Sequence, residues 1–304
     1  MATWQWFAFY AKVMLKTRTT TAAILTKKKQ FKSCLCKGSF FIFVIVSTKS
    51  IGIFDSGVGG TSIWKEVHAL LPNEHTIYLA DSHNAPYGPK GKERITELSI
   101  KNVELLIAKD CKLIVVACNT ATTNAIKYLR ENYKVPFIGI EPAIKPAALK
   151  TQTKAIGILA TKGTLASDLF HETTDLYSNG INIIEQEGEG IVQLIENGKL
   201  HSDEMKGLLD IYLKPMLEAN IDYLVLGCTH YTYLLPILID MLPNHIKIID
   251  SGEAVALQTK TVLEKHQLLN TQNTKSKNQF FTNGNTEVMA SLLGNNFKVE
   301  YLKF

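Results

Sequence analysis

Two half-chains repeat one order of elements, and that order leaves few folds open. Residues 51–54, Ile-Gly-Ile-Phe, run into the turn Asp55-Ser56-Gly57-Val58-Gly59-Gly60. Residues 156–159, Ile-Gly-Ile-Leu, run into Ala160-Thr161-Lys162-Gly163-Thr164. Each turn leads to a helical stretch and, later, to an apolar run that stops at a cysteine. Residues 113–120 read Leu-Ile-Val-Val-Ala-Cys-Asn-Thr, and residues 224–230 read Leu-Val-Leu-Gly-Cys-Thr-His. From Ile51 to Cys118 is 67 residues, and from Ile156 to Cys228 is 72. That period is far longer than a solenoid unit. Apolar runs of this kind are buried parallel strands with the polar tail at the carboxyl end. The expected fold is therefore α/β, with two similar domains, each a mostly parallel sheet flanked by helices. Ligands bind at the carboxyl ends of such strands. Two thiols presented alike by two such units suggest one site between them, with a sulfur on each side. Inverting a carbon acid, by removing a proton from one face and returning one to the other, needs that arrangement.

Composition narrows the class. A chain of 304 residues can bury two cores, and 46% apolar with 20% charged residues is ordinary for a globular protein. The net charge of +5 misleads, because the first 50 residues hold nine Lys or Arg and no Asp or Glu. The remainder has 24 basic against 28 acidic residues, about −4 net, so it lacks the basic footprint of a nucleic-acid binder. Five cysteines without CxxC or Cys/His spacing fit a reducing, cytoplasmic setting better than a disulfide framework or a metal site. The acid-free residues 1–50 read as an extension outside the fold, arising from an upstream start. A targeting peptide and a membrane anchor are the alternatives, although the apolar run at 39–46 is under half of the ~20 residues that span a bilayer.

Periodicity places helices over 61–71, 93–108, 121–132, 190–197, 202–219 and 253–266, and strands over 76–80, 137–140, 181–185 and 246–249. The expected domains are 51–145 plus 250–304, and 146–249. The final strands, near 279–282 and 298–302, are too short a segment for a third domain and are expected to pack back on the first. Residues 81–89, Asp-Ser-His-Asn-Ala-Pro-Tyr-Gly-Pro, form a long turn-rich loop of the kind that carries function.

The site chemistry is expected to centre on Cys118 and Cys228. A free thiol has a pKa of ~8.5, and a helix N-terminus or nearby cation lowers it. Asn119, Thr120 and Thr229 follow the thiols and offer groups for a carboxylate. Asp55 and Ser56 sit on the matching turn, and His230 lies two residues past the second thiol. Asp55 and His230 stand either as proton-handling groups or as a helix cap and a structural histidine. Cys111 reads as a core residue. The glycine run at 57–60 is neither GxxxxGK[ST] nor GxGxxG, which argues against a phosphate loop.

Four segments, taken together, resemble the glutamate racemase family. They are Ile53-Phe54-Asp55-Ser56-Gly57-Val58-Gly59-Gly60, Ala85-Pro86-Tyr87-Gly88, Ala117-Cys118-Asn119-Thr120-Ala121 and Leu226-Gly227-Cys228-Thr229-His230-Tyr231. The resemblance begins at about Ile51. It implies an active site in the interdomain cleft and a cofactor-independent, metal-free interconversion of L- and D-glutamate that supplies peptidoglycan synthesis. It implies that Cys118 takes the Cα proton of D-glutamate and Cys228 that of L-glutamate. Substrate contacts map to Asp55, Ser56, Tyr87, Gly88, Asn119, Thr120, Thr229 and His230. A family glutamate maps to Glu196, although the preceding Glu185-Gln186-Glu187-Gly188-Glu189-Gly190 departs from the Cys-Pro usual there. The implied partner is the small molecule glutamate, with no nucleic acid and no membrane, and a homodimer is left open. An aspartate racemase, a maleate isomerase or a malonate decarboxylase shares the fold. A binding protein that closes on a small acid needs no opposed thiols.

Overall fold

Strand β1 (Ile51–Asp55) is buried along its whole length, as a strand covered on both faces must be. The structure is a computed structural model and describes residues 48–272 and 275–304. The expected extension over 1–50 lies almost wholly outside the described residues. After β1 come α1 (Thr61–Leu70), β2 (Thr76–Ala80), α2 (Lys92–Ala108), β3 (Leu113–Val116), α3 (Asn119–Asn132), β4 (Phe137–Gly139) and α4 (Ile144–Lys150). The chain continues with β5 (Ala155–Ala160), α5 (Lys162–Leu165), α6 (Asp168–Tyr177), β6 (Asn182–Glu187), α7 (Ile191–Glu196), α8 (Asp203–Glu218) and β7 (Tyr223–Gly227). It ends with α9 (Leu235–Met241), β8 (Lys247–Ile249), α10 (Gly252–Lys265), β9 (Asn278–Thr282), α11 (Thr286–Leu292) and β10 (Val299–Tyr301).

The strands form two sheets, ordered β10-β9-β2-β1-β3-β4 and β6-β5-β7-β8. Their ladders are parallel. Four strands of the first sheet, β2-β1-β3-β4, repeat the order of the second, so the sequence duplication is a duplication of topology. In each unit the winding reverses between the first strand and the third. Ligands bind at that switch point in open α/β sheets. The register runs through Phe54↔Val116 in one sheet and Ala160↔Gly227 in the other. Carried onward, it brings Cys118 level with Ser56 and Cys228 level with Thr161.

An apolar cluster continues across both sheets through Trp64 and Val67 of α1, Ile195 of α7, Tyr231, Leu234 and Val255 of α10. Each fully buried side chain of this size contributes about 1.5–3 kcal/mol. The two lobes are thus joined by core, and side chains from both are held on rigid elements. At the far end of the first sheet Lys112 and Glu74 form a buried ion pair at 2.6 Å. Glu74 also accepts the Asn270 N–H at 2.7 Å, and Lys112 donates to the Leu268 carbonyl at 2.7 Å. These bonds fasten the segment after α10 beneath the sheet. No helix among the described residues is long and apolar enough to cross a membrane.

Several element bounds differ from the periodicity. Helix α3 starts at Asn119 and not at 121, because the Cys118 thiol caps it by accepting the Ala121 N–H at 3.4 Å. Strand β6 covers 182–187 and not 181–185. Its Glu185 and Glu187 suit a half-exposed edge strand, which tolerates charge. Helix α4 carried too weak a period to be expected, whereas the helical stretch expected after the second turn is present as α5 and α6. Helix α6 is set by its cap, where Ser167 Oγ accepts the Phe170 N–H.

Candidate active site

The carboxyl ends of β1, β3, β5 and β7 converge on one small cavity. It is lined by nine of the eleven expected site residues: Ser56, Tyr87, Gly88, Cys118, Asn119, Thr120, Cys228, Thr229 and His230. Asp55 and Glu196 stand directly behind this lining. Pro86, Thr161 and Val192 complete it and were not anticipated. The signal for Thr161 was present, since its turn is the counterpart of Asp55-Ser56-Gly57 in the other half. Val192 carried no signal beyond an apolar residue on a short helix.

Cys118 sits at the first strand-to-helix junction. Its Sγ lies 3.4 Å from Ser56 Oγ. Behind it Asp55 is fully buried. The Asp55 carboxylate accepts the Gly60 N–H at 2.6 Å and faces the hydroxyls of Thr229 and Ser56, each at 3.4 Å. Burial raises the Asp55 pKa, while His230 and the Gly60 N–H oppose the rise. Burial also pushes the Cys118 thiol up, and the Asp55 charge adds to it. The expected lowering by a helix N-terminus is therefore overturned at this cysteine. Desolvation and a neighbouring carboxylate outweigh the thiol's cap position.

Cys228 has different company. Its Sγ lies 3.8 Å from His230 Nδ1, and His230 Nε2 lies 2.6 Å from Glu196 Oε1. Glu196 Oε1 also accepts the Val58 N–H at 2.7 Å. Burial works against a charged His230, but Cys228 and Glu196 outweigh it and hold the imidazole well above its ordinary pKa. The Gly59 N–H also points at Nε2, at 3.2 Å. The two contacts are alternatives: a protonated Nε2 donates to Glu196, and a bare one accepts from Gly59. The raised pKa selects the first. Cys228, His230 and Glu196 thus form a relay, with the imidazole between the sulfur and the carboxylate.

The glycine run explains itself at this point. A Cβ at Gly57 would collide with the Glu196 carboxylate, and one at Gly59 with the His230 ring. One at Gly60 would lie 2.7 Å from Asp55 Cβ and 2.8 Å from the Tyr78 hydroxyl. These three positions are bare because four titratable side chains press against them.

The remaining residues divide by what their polar atoms do. Asn119 is 3% exposed, and both atoms of its amide are buried without a hydrogen-bond partner among the described residues. Buried amides are normally satisfied, so this one is aimed at something other than protein. Thr120 Oγ1 bonds Thr161 Oγ1 at 2.7 Å and Thr164 Oγ1 at 3.3 Å, linking the two lobes beneath the cavity. The Tyr87 hydroxyl donates to Asp81 Oδ2 at 2.6 Å and accepts from Asn102 at 3.2 Å. Tyr87 therefore offers its ring and backbone to the cavity, while its hydroxyl is committed elsewhere.

A sequence profile of the Asp/Glu/Hydantoin racemase family matches residues 56–259. The glutamate racemase of Herpetosiphon aurantiacus is 41% identical over 242 residues, covering 80% of this chain and 95% of that protein. The crystal structure of Escherichia coli glutamate racemase in complex with L-glutamate and the activator UDP-MurNAc-ala superposes with a TM-score of 0.74 at 34% identity, covering 84% of this chain and 98% of that one. The Francisella tularensis glutamate racemase in complex with D-glutamate gives 0.73 at 27% identity, with 84% and 98% covered. The relatives are spanned nearly end to end, and the motifs that line the cavity fall within the matched region. The chain belongs to the Asp/Glu/Hydantoin racemase family, among its glutamate racemases.

Proposed function

We propose that this protein interconverts L- and D-glutamate without a cofactor, by proton transfer at Cα between two cysteines. The observation that carries the proposal is that one cavity holds two thiols, each from the equivalent strand of a separate sheet. The naming of its relatives, and the two enantiomers bound in similar structures, support glutamate as substrate.

In this reading Cys228 removes the Cα proton of L-glutamate, and Cys118 delivers one to the opposite face. The reverse direction exchanges the roles. A Cα–H is a very weak acid, so the carbanionic intermediate depends on fixed hydrogen-bond donors and on exclusion of water. Asn119, with its unpartnered amide, Thr229 and Ser56 are the polar groups offered to substrate. The backbone at Tyr87 and Gly88 and the Thr120 side chain close the remaining walls. The Asp55 charge attracts the substrate's ammonium, and that cation offsets the effect that holds the Cys118 thiol neutral. His230, backed by Glu196, faces the sulfur of Cys228 and is placed to pass a proton to or from it. Division into domains 51–145 plus 250–304 and 146–249 follows the membership of the two sheets. The proposed setting is cytoplasmic, supplying D-glutamate for peptidoglycan, with no nucleic-acid or membrane partner; a homodimer fits the same reading.

The test uses protein freed of metal and pyridoxal phosphate, incubated with either enantiomer in deuterium oxide. Both should reach a racemic mixture with deuterium at Cα. A protein that binds glutamate but leaves Cα–H unexchanged overturns the proposal.

A further inference from the structure

The loop between β2 and α2 carries Pro86, Tyr87 and Gly88 into the cavity, and its footing is built from a distant segment. Asp81, 1% exposed, leads from β2 into this loop and donates its backbone N–H to the Asp55 carbonyl at 3.0 Å. Its carboxylate accepts from the Tyr87 hydroxyl at 2.6 Å, from the Asn84 amide at 2.9 Å and from Asn283 Nδ2 at 2.6 Å. Asn283 follows β9, 202 positions along the chain from Asp81. Its Oδ1 accepts the His83 N–H at 2.8 Å, and its own N–H reaches the Ala80 carbonyl at 3.3 Å. A Cβ on the adjoining Gly284 would lie 2.5 Å from Ser82 Cβ, so this turn abuts the loop directly.

We propose that Asn283 is a positioning residue for racemisation, whose amide clamps Asp81 and the backbone of His83 and so fixes the loop that presents Tyr87 and Gly88 to the two thiols. The clamp needs a donor and an acceptor on one uncharged fork, which an amide supplies. Leucine there leaves the buried Asp81 carboxylate and the His83 N–H short of partners. Aspartate keeps the acceptor but sets two carboxylates in contact. The inference rests on the racemase reading above. Because the loop forms part of the substrate wall and holds neither thiol, KM moves before kcat.

The experiment compares wild type with Asn283→Asp, and with the swapped pair Asp81→Asn/Asn283→Asp. In the swapped pair the amide stands at position 81 and donates to the carboxylate at position 283, which still accepts the His83 N–H, while the Asn84 amide, which shares Asp81 Oδ1 with Asn283, turns to present its oxygen. Asn283→Asp should raise KM for glutamate by about tenfold, with a smaller change in kcat, the scale expected when a binding group is misplaced by a fraction of an ångström. The swapped pair should recover most of that loss. Iodoacetamide labelling of Cys118 and Cys228, read by mass spectrometry, needs no substrate and should quicken in Asn283→Asp and slow again in the swapped pair. If wild type does not racemise glutamate, the racemase reading fails and the labelling rates alone judge the clamp. Unchanged KM and labelling in Asn283→Asp overturn it, as does a swapped pair no better than the single variant. Should Asn283→Asp not fold, the swapped pair decides: near wild-type KM supports the clamp, and a tenfold higher KM or failure to fold overturns it.

Discussion

Replacing Glu196 by glutamine isolates the charge behind His230 from the shape of the site. Glutamine keeps an oxygen for the Val58 N–H and for His230 Nε2, which Glu196 holds at 2.7 and 2.6 Å. What is lost is the negative charge. A hydrogen bond to a charged group contributes about 1.5–3 kcal/mol, against about 0.5–1.5 for a neutral one. The difference is about 1–2 kcal/mol, and at 1.36 kcal/mol per decade it corresponds to about 5–30-fold in rate. The Glu196 side chain is 13% exposed, which places the expected loss in kcat near the lower end, about fivefold. The pH dependence gives the sharper reading. His230 is held above its ordinary pKa against the cost of burial, by Cys228 and Glu196. Without the carboxylate that pKa falls, and the imidazolium beside Cys228 is lost at lower pH. The alkaline limb of L-glutamate turnover should therefore move down in Glu196→Gln. Stability follows the same sign. A raised histidine pKa stabilises the fold fully below its unfolded value of ~6.5, and the contribution disappears as pH rises through the folded value. The variant should thus be destabilised more at pH 6 than at alkaline pH. Polarimetric rates and thermal midpoints across pH measure both. A folded Glu196→Gln protein with kcat within twofold of wild type and an unmoved alkaline limb would refute the relay.

Two further perturbations follow from the same geometry. Cys118→Ser and Cys228→Ser should each lose racemisation by more than the ~10²–10⁴-fold of a single acid–base group, because inversion needs a base on both faces. In deuterium oxide Cys118→Ser should still exchange the Cα proton of L-glutamate with retention, and Cys228→Ser that of D-glutamate; exchange of the opposite enantiomer would reverse the assignment of faces. Lys112→Met leaves the buried Glu74 carboxylate unpaired and should cost about 3–5 kcal/mol, read from urea unfolding, with KM unchanged because the pair lies at the far end of the sheet. A loss below about 1 kcal/mol would mean that Glu74 is satisfied without the lysine.

Most of the frame was legible because parallel strands buried on both faces leave continuous apolar runs, and β1, β3, β5 and β7 are such runs. Their shared ending in small polar residues marked the switch points before any topology was known. Edge strand β6 was misplaced because half-exposed strands mix charge with apolar residues and blur the run. The eleven site residues were named from short motifs, and nine of them line one cavity. The environment of each was not legible. Sequence put both thiols alike at helix starts. The fold set Asp55 behind Cys118 and placed Glu196, 34 positions away, on the far nitrogen of the imidazole beside Cys228. Asn283 was missed for the same reason, since its partners lie in a loop about 200 residues away and no local pattern ties an asparagine after a strand to that loop.

That unequal company has a limit fixed by symmetry. L- and D-glutamate are mirror images, so their free energies in water are equal and the equilibrium constant of the reaction is unity. The kcat/KM values in the two directions must then be equal at every pH, whatever surrounds each thiol. The difference between Cys118 and Cys228 can appear only in how each direction divides that ratio between kcat and KM. In the proposed mechanism, removal of a proton from L-glutamate draws on Cys228, whose sulfur faces the His230 imidazole. Removal from D-glutamate draws on Cys118, which burial and Asp55 hold as a neutral thiol. D-glutamate turnover should therefore need higher pH to reach its maximal kcat, and KM for D-glutamate should rise in parallel. Initial rates in both directions across the pH range measure this directly. Superimposable kcat profiles for the two enantiomers would mean that the bound substrate makes the two thiols equivalent, and that the asymmetry of their protein surroundings is erased before the proton moves.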